Sequence, residues 1–199
     1  MNTRVFIPSF FLTIILLASC ATPFKQIKNT NVPFERSYYS ILPPQEKGWT
    51  YVDRVEQTPF KLAFRKEGES KTHTFVAIVY EMHNDVSYSD PEAFLAFVQV
   101  RKALDINTRR YKVLEQDISL HNRFGSLCVR SYIKSEDYGA RNKGGLGFLT
   151  MEGYSYTFIH PNNNELIIDI SYSERGVAGE MNPKFTEVAE MFIDGLKIK

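Results

Sequence analysis

Cysteine is almost missing from this sequence. The 199-residue chain has two, Cys20 and Cys128, too few for a fold stapled by several disulfides. Tryptophan occurs once, as Trp49, and histidine four times, as His73, His83, His121 and His160. No two histidines lie within four residues of each other, so no helix offers a histidine pair to a metal. The zinc-protease, hydrolase-elbow and phosphate-loop signatures are absent. An excess of one charge is missing too, with 24 Lys+Arg against 23 Asp+Glu. That balance gives no reason to expect nucleic acid or an anionic membrane surface as a partner. No apolar run reaches the roughly 20 residues a membrane-spanning helix needs.

Aromatic residues, in contrast, make up 14% of the chain, with 15 Phe and 11 Tyr. That is enough apolar material for a substantial core. The most informative stretch is at the N-terminus. Arg4 is followed by an apolar segment, Val5 to Leu17, and then by Ala18, Ser19 and Cys20. A charged start, a short apolar core and a small-residue end describe a secretory signal peptide. Pro8 and the shortness of the run argue against a transmembrane helix.

Leu17-Ala18-Ser19-Cys20 resembles the lipobox of bacterial lipoproteins at all four positions. The resemblance implies a diacylglycerol on Cys20, cleavage before it and acylation of the new N-terminus. One acyl chain holds a protein only marginally, whereas several anchor it stably. Ala21, rather than Asp, resembles outer-membrane sorting. Removal of residues 1–19 would leave 180 residues and take away one charge, Arg4. The remaining domain would be neutral. Cys128 would then have no partner in the chain and is expected to be a buried, inert thiol.

Ala21 to Gly48 contains four of the nine prolines and reads in its first part as a tether. Tyr38 to Leu42 is apolar enough to pack on the domain as an edge segment stopped by Pro43. From Trp49 the pattern is regular. Phe60–Phe64 is a short strand, and Phe75–Tyr80 is apolar on both parities, as in a strand covered on both faces. Ser89-Asp90-Pro91-Glu92 opens a helix that ends near Asp105, with Phe94, Phe97, Val98 and Leu104 as its apolar stripe. Tyr111–Leu120 is a strand with Leu114, Ile118 and Leu120 on one parity, followed by a turn over His121–Gly125. In the next strand Leu127, Val129 and Ile133 alternate with Cys128, Arg130, Tyr132 and Lys134, which predicts one wet face. Phe148–His160 and Leu166–Ser173 form a hairpin. Tyr154, Tyr156 and Phe158 should share a face with Leu166, Ile168, Ile170 and Tyr172, pairing Phe158 with Ile168 and Tyr156 with Ile170. Ser155, Thr157, Asp169 and Ser171 should lie on the wetter side. Asn182-Pro183 opens a last helix with the face Phe185, Val188, Ala189, Phe192 and Leu196, stopped by Gly195.

The predicted architecture is α+β: an antiparallel sheet of about six or seven strands with two packed helices. The predicted organisation is a signal peptide (1–19), a lipidated tether (20–48) and one α+β domain (49–199). Strands, helix, four strands, helix, entered at Trp49, resembles the PsbP-like family of extrinsic photosystem proteins and a helix-grip arrangement. Cys128-Val129-Arg130 and Tyr172-Ser173-Glu174-Arg175 resemble proteobacterial lipoproteins of uncharacterised function. Neither resemblance carries a functional residue to this chain.

Few residues suggest chemistry. His83 stands between Glu81 and Asp85, and it reads more simply as a solvated strand end. His160 precedes a Pro-Asn turn and should close the hairpin. Arg141–Gly147 is glycine-rich and basic, but no helix follows it to hold a phosphate. Glu136-Asp137 and Glu174-Arg175 end strands, where unequal environments could split a carboxylate pair into acid and base. The sequence does not bring the two segments together. It offers no catalytic, cofactor or metal residue, and Cys20 as the lipidation site. The expectation is an envelope lipoprotein acting as a non-catalytic interaction or accessory module. It would be held in the bilayer through acylated Cys20, sorted to the outer membrane and facing the periplasm, with an envelope protein as partner. The alternatives are a periplasmic hydrolase assembled from loops, drawing on His83, Glu136 and Asp137, or a carrier of an apolar ligand beneath a helix.

Overall fold

The computed structural model describes residues 24–53, 61–86, 88, 90–140 and 145–199. The anchoring stretch with Cys20, the residue Phe60 and the start of the Arg141–Gly147 loop lie outside them. The described residues form an α+β fold. Its strands are β1 (Lys25–Gln26), β2 (Phe34–Glu35), β3 (Tyr39–Ile41), β4 (Thr50–Asp53), β5 (Lys61–Glu67), β6 (Thr74–His83), β7 (Tyr111–Arg123), β8 (Ser126–Asp137), β9 (Leu149–His160), β10 (Asn163–Gly176) and β11 (Leu196–Ile198). The helices are α1 (Pro91–Asp105) and α2 (Phe185–Ile193).

Eight strands make one antiparallel sheet in the order β1-β4-β5-β6-β10-β9-β8-β7. A second antiparallel sheet runs β11-β3-β2. The strand number exceeds the six or seven expected. The extra strands are the short ones β1, β2, β4 and β11, two to four residues long, and so short a segment carries no alternation to read. Residues 25–41 therefore belong in part to the folded unit: β1 pairs with β4 and β3 with β11. Tyr39 and Ile41 are buried, as expected for that apolar segment.

The last hairpin has the expected register. Phe158 lies opposite Ile168, Tyr156 opposite Ile170, and Tyr154 opposite Tyr172. Hydrophobic faces set register because a one-residue slip turns a whole set outward. This face, with Leu62, Phe64, Ala77, Val79 and Cys128 of the neighbouring strands, forms the main core. The α2 residues Phe185, Ala189, Phe192 and Ile193 cover it, together with the small sheet. Leu196 is not part of the helix. The chain turns at Gly195, where the Gly195 amide bonds the Phe192 carbonyl at 3.0 Å, and Leu196 enters the core from β11.

The other face of the large sheet is covered as well. α1 starts at an Asp90 cap whose side chain accepts from the Glu92 amide at 3.1 Å, with Pro91 in the first turn. Its Phe94 and Val98 pack on Met82, Val129, Ile159 and Ile167. Leu104, expected in the apolar stripe, is 80% exposed, because six residues past Val98 it falls off the i, i+4 row that Phe94 and Val98 share on the buried face of α1. Two expectations of a wet face are thereby corrected. Val129 and Cys128 are both fully buried on opposite sides of β8, and Ser155 and Thr157 are buried beneath the α1 side. A sheet with a helix on each face has no generally solvated side. Leu114 is also misplaced by the sequence pattern. A bulge between Val113 and Glu115 takes it off the parity of Ile118 and Leu120 and leaves it exposed. The β7–β8 turn is tighter than expected: it consists of Phe124 and Gly125, both at positive φ, 58° and 68°.

Candidate functional site

α1 stops at Asp105, and beyond it the sheet face is floored by small residues. Ser131 lies opposite Ser155, and Ser155 opposite Ser171. One step along, Ile133 lies opposite Gly153, and Gly153 opposite Ser173. A further step brings Ser135 opposite Met151. Short side chains on three adjacent strands, beside the end of a helix, leave a trough. Its volume is about 270 Å3, with walls from Tyr111, Val113, Ile133 and Met151 and a rim from Lys102, Asp105 and Ile106. A second cavity of about 270 Å3 adjoins it under α1 and shares Lys102, Asp105 and Ser171.

The electrostatics of the trough are set at its rim. Lys102 donates to the Asp169 carboxylate at 2.8 Å, and Thr157 donates to the same oxygen at 2.5 Å. Asp169, expected to face solvent, is thus held beneath α1. The Tyr111 phenol, an O–H donor at neutral pH like any phenol, has its pKa pushed further up by burial and by the Asp137 charge. Ser173 donates to the Val76 carbonyl at 3.3 Å. Ser131 and Ser135 are different. They are 2% and 1% exposed, and neither hydroxyl has a hydrogen-bond partner among the described residues. An unpaired buried hydroxyl costs about 1–3 kcal/mol.

The two carboxylate-bearing strand ends do meet, but as an ion-pair cluster. Asp137 is fully buried and accepts from Arg110 Nε at 2.7 Å and Nη2 at 2.8 Å, from Arg175 at 3.3 Å and from the Gly139 amide at 3.0 Å. Burial works against its charge, yet the Arg110 guanidinium holds its carboxyl below the usual range. Glu136 points to the other face, bonded by Tyr138 at 2.6 Å and Lys112 at 3.1 Å. Glu174 is bonded to His73 at 2.7 Å on that same face. His83 is exposed at the opposite end of the sheet, paired with Leu166, whereas Asp137 pairs with Leu149 beyond the Arg175 end. About ten residues of strand, on the order of 30 Å, separate them. His160 closes the hairpin as expected, accepting from the Asn162 amide at 3.1 Å and meeting the Tyr38 carbonyl at 3.2 Å. Cys128 is buried in the main core, and burial pushes its thiol up to about 12.

On the α2 side, Tyr154 and Tyr156 donate to Glu190, the latter at 3.1 Å, and Arg123 joins Glu190 to Asp194. Burial opposes the charge of Glu190, but the bonds from Tyr154 and Arg123 outweigh it and lower its pKa. This network locks α2 to the sheet. The serine trough was missed in sequence. The available signal was parity: Ser131, Ser135, Gly153, Ser155, Ser171 and Ser173 all lie on the side opposite the aromatic set. The chain matches no protein-family model, and no curated protein matches it.

Proposed function

We propose that this chain is a lipid-anchored protein of the bacterial envelope whose domain serves as a non-catalytic binding module. The observation that carries the anchor is Leu17-Ala18-Ser19-Cys20 at the end of an apolar run. The acyl chains on Cys20 hold the protein in the bilayer, with the outer membrane favoured by Ala21, and the domain faces the periplasm to meet an envelope partner. A binding role is supported by how the charges are used. The strand-end carboxylates are tied to Arg110, Arg175, Lys112 and His73, while the trough is lined by hydroxyls and apolar groups. The hydrolase alternative loses support, because His83 stands far from Glu136 and Asp137. A carrier site beneath α2 loses support as well, because aromatic side chains fill that face. The PsbP-like and helix-grip likeness belongs to the same proposal, resting on the order of elements.

Labelled palmitate tests the anchor. Wild type incorporates it and Cys20→Ala does not, and the mature N-terminus found by mass spectrometry is Cys20. Equal labelling of both proteins, or a mature N-terminus elsewhere, overturns it. Capture of the lipidated protein from native membranes tests the module. A specific envelope protein should be retained by the wild type, whereas turnover of a periplasmic ester or peptide would refute the non-catalytic reading.

A further inference from the structure

We propose that the trough beyond α1 is a ligand site for an uncharged, rod-like molecule with an apolar middle and a hydrogen-bonding group at each end. This deepens the binding-module reading and rests on it, but it does not depend on the anchor. Two independent observations meet at one place. The first is the trough itself, walled by Tyr111, Val113, Ile133 and Met151. The second is the pair of buried, unpartnered hydroxyls of Ser131 and Ser135, both lining it.

The spacing of those hydroxyls sets the ligand's shape. Residues four apart on a strand are about 13 Å apart, and Ile133 lies between them on the same face. A ligand lying along β8 thus meets a hydroxyl, an apolar stretch and a second hydroxyl. The volume of about 270 Å3 holds on the order of nine water-sized groups at ~30 Å3 each. A chain of eight carbons with a hydroxyl at each end satisfies both dimensions.

The charges set its neutrality. A carboxylate placed on two neutral hydroxyls would need a cation to offset its desolvation. The cations near the trough are engaged, Lys102 by Asp169 at the rim and Arg110 and Arg175 by Asp137 past Ser135, and Asp105 adds a negative charge. A sugar fits less well, because its hydroxyls would be left against Ile133, Val113 and Met151 without partners.

The test uses the full lipidated chain in nanodiscs, labelled with 13C at the methionine methyls. Met151 lines the trough, while Met181 and Met191 lie outside it and serve as references. The probes are 1,8-octanediol, 1-octanol and octanedioate. Octanediol should shift the Met151 methyl saturably and leave Met181 and Met191 in place. Octanol, with one polar end, should bind about three- to tenfold more weakly, the loss of one hydrogen bond. Octanedioate should be weaker than octanediol by at least about tenfold. Ser131→Ala and Ser135→Ala should each bring octanediol down to the affinity of octanol. Gly153→Leu should abolish the shift, because a side chain there meets only the Ile133 carbonyl, at 4.0 Å, before entering the trough.

An unmoved Met151, a dicarboxylate that binds as tightly as the diol, or a diol affinity unchanged in both serine variants overturns the proposal. If the protein retains a partner from membranes while Met151 stays unmoved, the trough proposal fails and the module reading stands. If Met151 shifts but the protein turns over substrate, the module reading fails instead.

Discussion

Phe158→Ala removes the aromatic ring at the centre of the main core. Phe158 is fully buried on β9, opposite Ile168 on one side and Cys128 on the other. Its ring stacks on Phe124 with centroids 4.5 Å apart. A large-to-small aromatic change in such a core costs about 3–5 kcal/mol, of which about 0.5–1.5 kcal/mol comes from the ring pair. For a chain of this size each kcal/mol moves Tm by about 2–4 °C, so Tm should fall by about 6–20 °C. Thermal unfolding followed by circular dichroism and urea midpoints read the loss. Leu104→Ala, at an exposed position of α1, is the control and should stay within about 0.5 kcal/mol of wild type. Combining Phe158→Ala with Phe124→Ala should lose less than the sum of the two by the stacking energy. A loss below about 1 kcal/mol for Phe158→Ala, or an equal loss for Leu104→Ala, refutes the argument that this face is packed core.

Asp137 is held below the usual carboxylate range, so its contribution is complete above pH ~4 and disappears as pH falls through its lower folded value. Asp137→Asn should cost about 1–3 kcal/mol at neutral pH and flatten the acid limb of a stability–pH curve; an unchanged limb contradicts the assignment. Cys128, with its thiol pushed up to about 12, should resist maleimide at pH 8 until the chain is unfolded in urea, and rapid native labelling would show it is accessible. Cys128→Ser should cost about 1–3 kcal/mol by placing a hydroxyl in an apolar setting. Ser135→Ala should stabilise the free protein by up to about 1 kcal/mol, because it deletes a buried hydroxyl without a partner; a clear loss in urea titration would mean that the hydroxyl is satisfied.

The sequence by itself determined the elements whose signals are local. The Asp90-Pro91 cap, the end of α1 at Asp105 and the shared face of Tyr154, Tyr156, Phe158, Ile168 and Ile170 follow from capping chemistry and strand parity, which act over a few residues. So did the cover of that face by Phe185, Ala189 and Phe192. Tertiary structure decided what depends on distant neighbours. The short strands at Lys25, Phe34, Tyr39 and Leu196 exist because partners far along the chain complete their hydrogen bonds. The bulge at Leu114 and the cover over Ser155 and Thr157 likewise come from packing, not from pattern. Asp137 meets Arg110 and Arg175 only because β7, β8 and β10 bring their ends together. The trough is the clearest case: its small residues alternate legibly along three strands, but only the stop of α1 at Asp105 leaves space over them.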